Sequence, residues 1–149
     1  MKILITGSNG LLGQKIVRQM VKYEKEFLAT SIGDNRNSDC PSDKYLSMDI
    51  TDPADISNVI SSYQPDAIIN TAAMTLVDAC EDEIEKCRRI NVSGVENLYK
   101  ACENNGIYFV QVSTDFVFDG ESGPYKEGDK RNPLSVYSTS KRDAEDILL

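Results

Sequence analysis

Residues 1–23 leave this chain little freedom of fold. Met1-Lys-Ile-Leu-Ile-Thr6 is a short, apolar, β-branched-rich run that stops at glycine, as expected of a strand buried on both faces. Gly7-Ser-Asn-Gly10-Leu-Leu-Gly13 follows, and then Leu12, Ile16, Val17, Met20 and Val21 recur at helical spacing up to Tyr23. Strand, glycine turn and helix in that order predict the opening of a parallel α/β sheet. One glycine permits a tight turn, another lets a phosphate approach the backbone, and another lets helix pack on strand. The free N–H groups and positive pole of such a helix attract a pyrophosphate; the competing reading is a tight connection and nothing more. Gly7, Asn9, Gly10, Leu11, Leu12 and Gly13 are the candidate contacts.

Beyond the turn, further short strands are predicted over 27–32, 45–48, 67–70 and 107–112, with helices between them. Asp52 before Pro53 reads as an N-cap and first helical residue, opening a helix through Ile56, Val59, Ile60 and Tyr63. A single helical stretch is expected from about 80 to 104, closed by Asn105-Gly106. Within it Asn91-Val-Ser-Gly94 stands out, because asparagine and glycine are mediocre helix formers in an otherwise well-patterned segment. Five strands alternating with helices, without repeats, predict a doubly wound parallel sheet of the Rossmann-like kind.

In such sheets ligands lie past the strand ends, which directs interest to Ser31, Asp49-Ile50 and Ala72-Ala73. An acid at the end of the second strand would hold the ribose hydroxyls of NAD, whereas a nearby arginine suits the extra phosphate of NADP. Ser31 and Ile32 stand at that end with Arg36 close behind, and Asp34 lies further along. NADPH is therefore favoured over NADH, with Arg36 as either a phosphate partner or a solvated loop charge. Asp49 is either a ligand contact or a local loop cap.

The chain has 149 residues, enough for one domain, and a net charge of −8. That acidity argues against nucleic acid or an anionic membrane surface as partner. Cys40, Cys80, Cys87 and Cys102 show no C-x-x-C spacing, and the chain has no histidine, which removes the usual zinc and dithiol redox signatures. Packing is their expected role. Without a leader or a long apolar run, a cytoplasmic location is expected.

With no histidine for acid–base work, Tyr137-Ser-Thr-Ser-Lys141 is the notable pair. Residues four apart share a helix face, so the Lys141 ammonium is expected beneath the Tyr137 phenol, favouring the phenolate and lowering its pKa. The spacing alone arises readily by chance; its context includes Ser113-Thr114-Asp115 upstream and a glycine- and proline-rich loop over 120–133.

Gly7-x-x-Gly10-x-x-Gly13, Asp49-Ile50, Asn70-Thr-Ala-Ala73, Thr75-x-Val77-Asp78, Asn91, Ser113-Thr-Asp-Phe-Val-Phe118 and Asn132-Pro133 ahead of Tyr137-x-x-x-Lys141 together resemble one family. It is the dTDP-4-dehydrorhamnose reductase branch of the extended short-chain dehydrogenase/reductases, and the resemblance covers the whole chain. It implies NAD(P)H-dependent reduction of the 4-keto group of a nucleotide-linked deoxysugar. Tyr137 would protonate the forming alkoxide, Thr114 would hydrogen-bond it, and Lys141 would tune Tyr137 and hold the nicotinamide ribose. Asp49 would meet the adenine and Asn91 would keep a water-linked proton path near Lys141, against the alternative of a kink or solvent-facing residue. Thr75, Val77 and Asp115 would contact the nucleotide-sugar substrate, and a homo-oligomer is possible. Members normally continue for about as many residues again, so the chain is expected to be the cofactor domain truncated after the fifth strand and catalytic helix, lacking the substrate lobe and inactive alone. An epimerase or dehydratase of the same superfamily and a non-catalytic NADP-binding regulatory subunit are the alternatives.

Overall fold

A computed structural model of the chain describes every residue from Met1 to Leu149. β1 (Ile3–Thr6), β2 (Phe27–Ser31), β3 (Tyr45–Ser47), β4 (Ala67–Asn70) and β5 (Tyr108–Gln111) form one parallel sheet in the order β3-β2-β1-β4-β5. The chain builds outward from β1 on one side and then crosses to build outward on the other. A crevice therefore opens beyond the C-terminal ends of β1 and β4, where the winding reverses.

Side chains of β1 alternate between two cores. Ile3 and Ile5 pack with Val17 of α1 (Leu11–Lys22), Phe27 and Ala29 on one face. Leu4 packs on the other face with Leu28, Ile68, and Ile56, Val59 and Ile60 of α2 (Pro53–Tyr63), joined by Leu98 of α5 (Gly94–Asn105). All four β1 residues are buried, and each of the three aliphatic side chains, Ile3, Leu4 and Ile5, contributes about 1.5–3 kcal/mol on leaving water. The architecture is the expected doubly wound α/β sheet. Asp52 caps α2 by accepting from the Ala54 N–H at 2.8 Å, and Gly106 ends α5 in the left-handed region at φ 66°.

The expected helical stretch over 80–104 is present with one interruption and one change of winding: the chain forms α3 (Val77–Asp82), α4 (Ile84–Arg88), a π-helical turn (Arg89–Ser93) and then α5. Glu83 breaks the first joint at φ −123°, ψ 57°. Asn91 is buried in the π turn, where its carboxamide accepts from the Met74 N–H at 2.8 Å and donates to the Met74 carbonyl and the Ser140 hydroxyl, both at 3.0 Å. The solvent-facing reading of Asn91 is thereby excluded. Gly94 follows because a Cβ there would come within 2.7 Å of Ile50 Cδ1. The propensity deficit of both residues is offset by contacts made outside their own helix.

α6 (Val136–Leu148) opens with a reciprocal Ser135–Ser138 capping box. Glu81 of α3 also accepts from the Val136 N–H at 2.7 Å. All four cysteines are buried and unpaired, as their packing role requires. No helix is long and apolar enough to cross a membrane.

Candidate active site

The first part of the crevice is a cavity of about 320 Å³ over the ends of β1, β2, β3 and β4. Gly7, Asn9 and Gly10 form one wall, Ser31 and Arg36 a second, Asp49 and Ile50 a third, and Ala72 and Ala73 the floor toward β4. Gly7 lies at φ 70°, and a Cβ on it would stand 2.5 Å from the Ala72 nitrogen. Two backbones thus meet here with no room for a side chain, leaving main-chain groups to face any ligand.

The start of α1 is prepared for an anion. Gly10 occupies its N-cap with no side-chain hydrogen bond, and the first turn carries no acidic residue. The orphan N–H groups and positive pole therefore remain unneutralised, unlike those of α2 with its Asp52 cap. Together with the Gly7 cradle, this fits a dinucleotide pyrophosphate.

Asn9 organises the next wall. Its carboxamide accepts from the Arg36 N–H at 2.8 Å and donates to the Asp34 carbonyl at 3.0 Å, pinning the loop after β2 to the glycine turn. Arg36 borders the cavity and takes part in none of the chain's ion pairs. Asp49 is a local loop cap, one carboxylate oxygen accepting from the Thr51 N–H at 2.8 Å and hydroxyl at 2.9 Å, and it also lines the cavity. Thr71, within the Asn70-Thr-Ala-Ala73 stretch, lines the same space, as do Thr51 and Ile90, which carry no sequence signal that could have singled them out.

A second cavity of about 290 Å³ continues the first, sharing Gly10, Thr71, Ala72 and Ala73 with it. Leu11, Leu12 and Gly13 bound it on the α1 side, and Thr75, Tyr137 and Lys141 on the other. One trench therefore runs from the glycine turn to the Tyr137–Lys141 pair. Val77 and Asp115 lie outside it, lining a separate cavity of about 430 Å³ with Phe116, Phe118, Tyr125 and Leu134. Thr114 lies between Ser113, which lines the trench, and Asp115, and its hydroxyl caps the short turn Asp115–Val117 by accepting from the Phe116 N–H at 3.2 Å.

The pKa expected of Tyr137 needs correction. Burial pushes its phenol above the ordinary value, with smaller upward contributions from Cys80, Cys87 and Asp115, while the Thr114 hydroxyl pulls it down. The Lys141 cation is turned elsewhere. It is 4% exposed and donates to the Val112 carbonyl at 2.6 Å, and burial lowers its own pKa against the opposing pull of Glu145. Sharing a helix face brought the two side chains together without aiming the charge at the phenol.

Comparison with known proteins agrees with this fold. Residues 1–149 match the family described as RmlD substrate binding domain. A dTDP-4-dehydrorhamnose reductase of Aggregatibacter actinomycetemcomitans is 37% identical over 149 residues, covering 99% of this chain and 47% of that protein. A methionine adenosyltransferase 2 subunit beta of Danio rerio is 33% identical over 148 residues, covering 99% of this chain and 43% of that one. The crystal structure of a dTDP-4-dehydrorhamnose reductase from Bacillus anthracis in complex with NADP superposes with a TM-score of 0.83 at 29% identity, covering 99% of this chain and 48% of that one. The chain thus spans about half the length of the curated relatives it matches. By sequence and by fold, it belongs to the RmlD substrate binding domain family.

Proposed function

We propose that residues 1–149 form the cofactor-binding, proton-donating unit of an NADPH-dependent reductase. It would act on the 4-keto group of a nucleotide-linked deoxysugar such as dTDP-4-dehydrorhamnose. The observation that carries this reading is the continuous trench from the uncapped α1 N-terminus to Tyr137 and Lys141. NADP bound to the Bacillus anthracis relative supports the choice of cofactor, as does Arg36 without an ionic partner beside Ser31.

When bound, the dihydronicotinamide supplies the reducing equivalent that turns the keto carbon into a carbinol. The chain's part is to hold and protonate. The glycine turn and α1 take the pyrophosphate, Asp49 and Ile50 take the adenine end, and Ala72-Ala73 lets the cofactor lie against backbone. Burial keeps the Tyr137 phenol protonated, which is the form a reduction needs, and Tyr137 gives that proton to the forming alkoxide. Thr114 donates a hydrogen bond to the same oxygen, and Lys141 holds the ribose. Thr75, which lines the trench, would meet the substrate, and Val77 and Asp115 would receive its remainder in the separate cavity beyond.

The test is paired: NADPH titration by nicotinamide fluorescence, and turnover of dTDP-4-dehydrorhamnose by the protein that carries this chain, with and without Tyr137→Phe. Similarity to the Danio rerio methionine adenosyltransferase 2 subunit beta favours a second reading, a regulatory subunit with an NADP-binding fold. NADPH binding without turnover of any 4-keto sugar nucleotide would select it.

A further inference from the structure

Glu145 belongs to no expected site, yet it sits four residues beyond Lys141, on the same face of α6. Both of its carboxylate oxygens are occupied. One accepts from the Ser113 hydroxyl and the other from Arg131 Nη1 at 2.8 Å. Ser113 lies between Val112, whose carbonyl receives the Lys141 ammonium, and Thr114. Arg131 belongs to the loop that precedes α6 and also binds Asp146 at 2.5 Å. Glu145 is therefore the point where the end of β5, the 119–135 loop and α6 are tied together.

On the proposed reading that Lys141 and Tyr137 serve the redox end of the trench, we propose that Glu145 is the positioning residue of that corner. Its hydrogen bonds to Ser113 and Arg131 fix Lys141, Thr114 and Tyr137 relative to one another. The tie fixes position at two levels. Bonding Ser113 holds the Val112 carbonyl against the lysine and sets where Thr114 leaves the strand. The carboxylate also places a negative charge one helical turn from a cation that is nearly buried, which favours the ammonium form.

Few other charges reach this corner. The turn after β5 contributes Asp115, and α3 and α4 contribute the thiols of Cys80 and Cys87, all facing Tyr137. Arg88 and Arg142 are both taken up by Asp143. Glu145 is the one charged side chain that perturbs Lys141.

The experiment is a carbon-13 NMR titration of lysine Cε in the chain Met1–Leu149, with the Lys141 signal assigned by its loss in Lys141→Ala, alongside NADPH titrations. Glu145→Gln keeps the size and an acceptor for Ser113 but removes the charge. It is expected to move the Lys141 titration to lower pH and to weaken NADPH binding about three- to tenfold. Should Glu145→Gln fail to fold, Ser113→Ala breaks the tie from the other end and is expected to shift the same titration in the same direction by less. A lower melting temperature with the Lys141 titration and NADPH affinity unmoved would reduce Glu145 to a structural tie and overturn the inference. Unchanged NADPH affinity in Lys141→Ala would instead strike at the role proposed for the lysine, and the titration would still decide Glu145.

Discussion

Replacing Asn91 with alanine removes a buried carboxamide that bonds the Met74 N–H and carbonyl, the Ser140 hydroxyl and, weakly at 3.5 Å, the Cys87 sulfur, and the cost can be worked from the three stronger bonds. The Met74 N–H and carbonyl lose their partners at 2.8 and 3.0 Å. Met74 is half-buried, so water repays part of this loss and each group costs nearer 1 than 3 kcal/mol. The Ser140 hydroxyl still donates to the Tyr137 carbonyl at 2.6 Å and loses only an incoming bond. A small cavity adds about 1 kcal/mol, for a total of about 2–4 kcal/mol. Against a domain stability of about 5–15 kcal/mol the variant still folds at 25 °C, with a melting temperature lower by about 5–15 °C. Urea unfolding at matched pH measures the difference directly. Asn91→Leu restores the volume but none of the hydrogen bonds, so it should share most of the loss. If both variants unfold within about 0.5 kcal/mol of the parent, the carboxamide does not hold the π turn and the reasoning fails.

Four other outcomes are expected. Gly7→Ala forces a side chain into the left-handed region and against the Ala72 backbone, so it should cost about 2–4 kcal/mol and abolish NADPH binding; a near-native urea midpoint would refute the close approach. NADPH should bind at least as tightly as NADH, with Arg36→Ala narrowing the gap, and an NADH preference insensitive to Arg36 would exclude it as the phosphate partner. In the protein that carries this chain, Tyr137→Phe should lower turnover about 10²-fold or more with little change in NADPH affinity, whereas near-normal turnover would mean that another acid serves. Burial pushes the Tyr63 phenol and the Cys102 thiol each up to about 12, from 10 and 9. Both groups stay neutral in the fold while the unfolded chain ionises, so their stability is complete below pH 9 and is lost as pH rises toward 12. Tyr63→Phe, which removes a buried hydroxyl with no hydrogen-bond partner, should leave stability at pH 7 unchanged or raise it by up to about 1 kcal/mol, and should flatten that alkaline loss in urea midpoints.

What could be read in the sequence was local. The strand before Gly7, the Asp52-Pro53 helix start and the Gly106 stop each depend on a few adjacent residues, and all three are found. The trench residues were legible for a related reason, because strand ends in a parallel sheet converge whatever their side chains are. The π turn over 89–93 was not, since its Asn91 is held by Met74 and Ser140, which lie 17 and 49 positions from it. The direction of the Tyr137 shift was also out of reach. Spacing placed a cation nearby but could not say that the Val112 carbonyl, 29 positions away, would claim it, or that burial would dominate. The Ser113–Glu145 link spans 32 positions and left no pattern to notice.

The change of winding at β1 also divides the molecule's labour. The β2–β3 side supplies Ser31, Arg36, Asp49 and Ile50 to one end of the trench, the β4–β5 side supplies Thr75, Ser113, Tyr137 and Lys141 to the other, and the glycine turn and Thr71 to Ala73 border both. The two halves meet along a seam of four paired positions, Ile3 with Ala67 through Thr6 with Asn70, fastened by hydrogen bonds from Thr6 to Asn70 and from Thr71 to the Thr6 carbonyl at 2.7 Å. A long molecule lying in the trench crosses that seam and grips both sides of it. Its binding energy then acts as a cross-link between halves, so a full-length dinucleotide should suppress hydrogen exchange along β1 and β4 more than its separated adenine and nicotinamide portions can together.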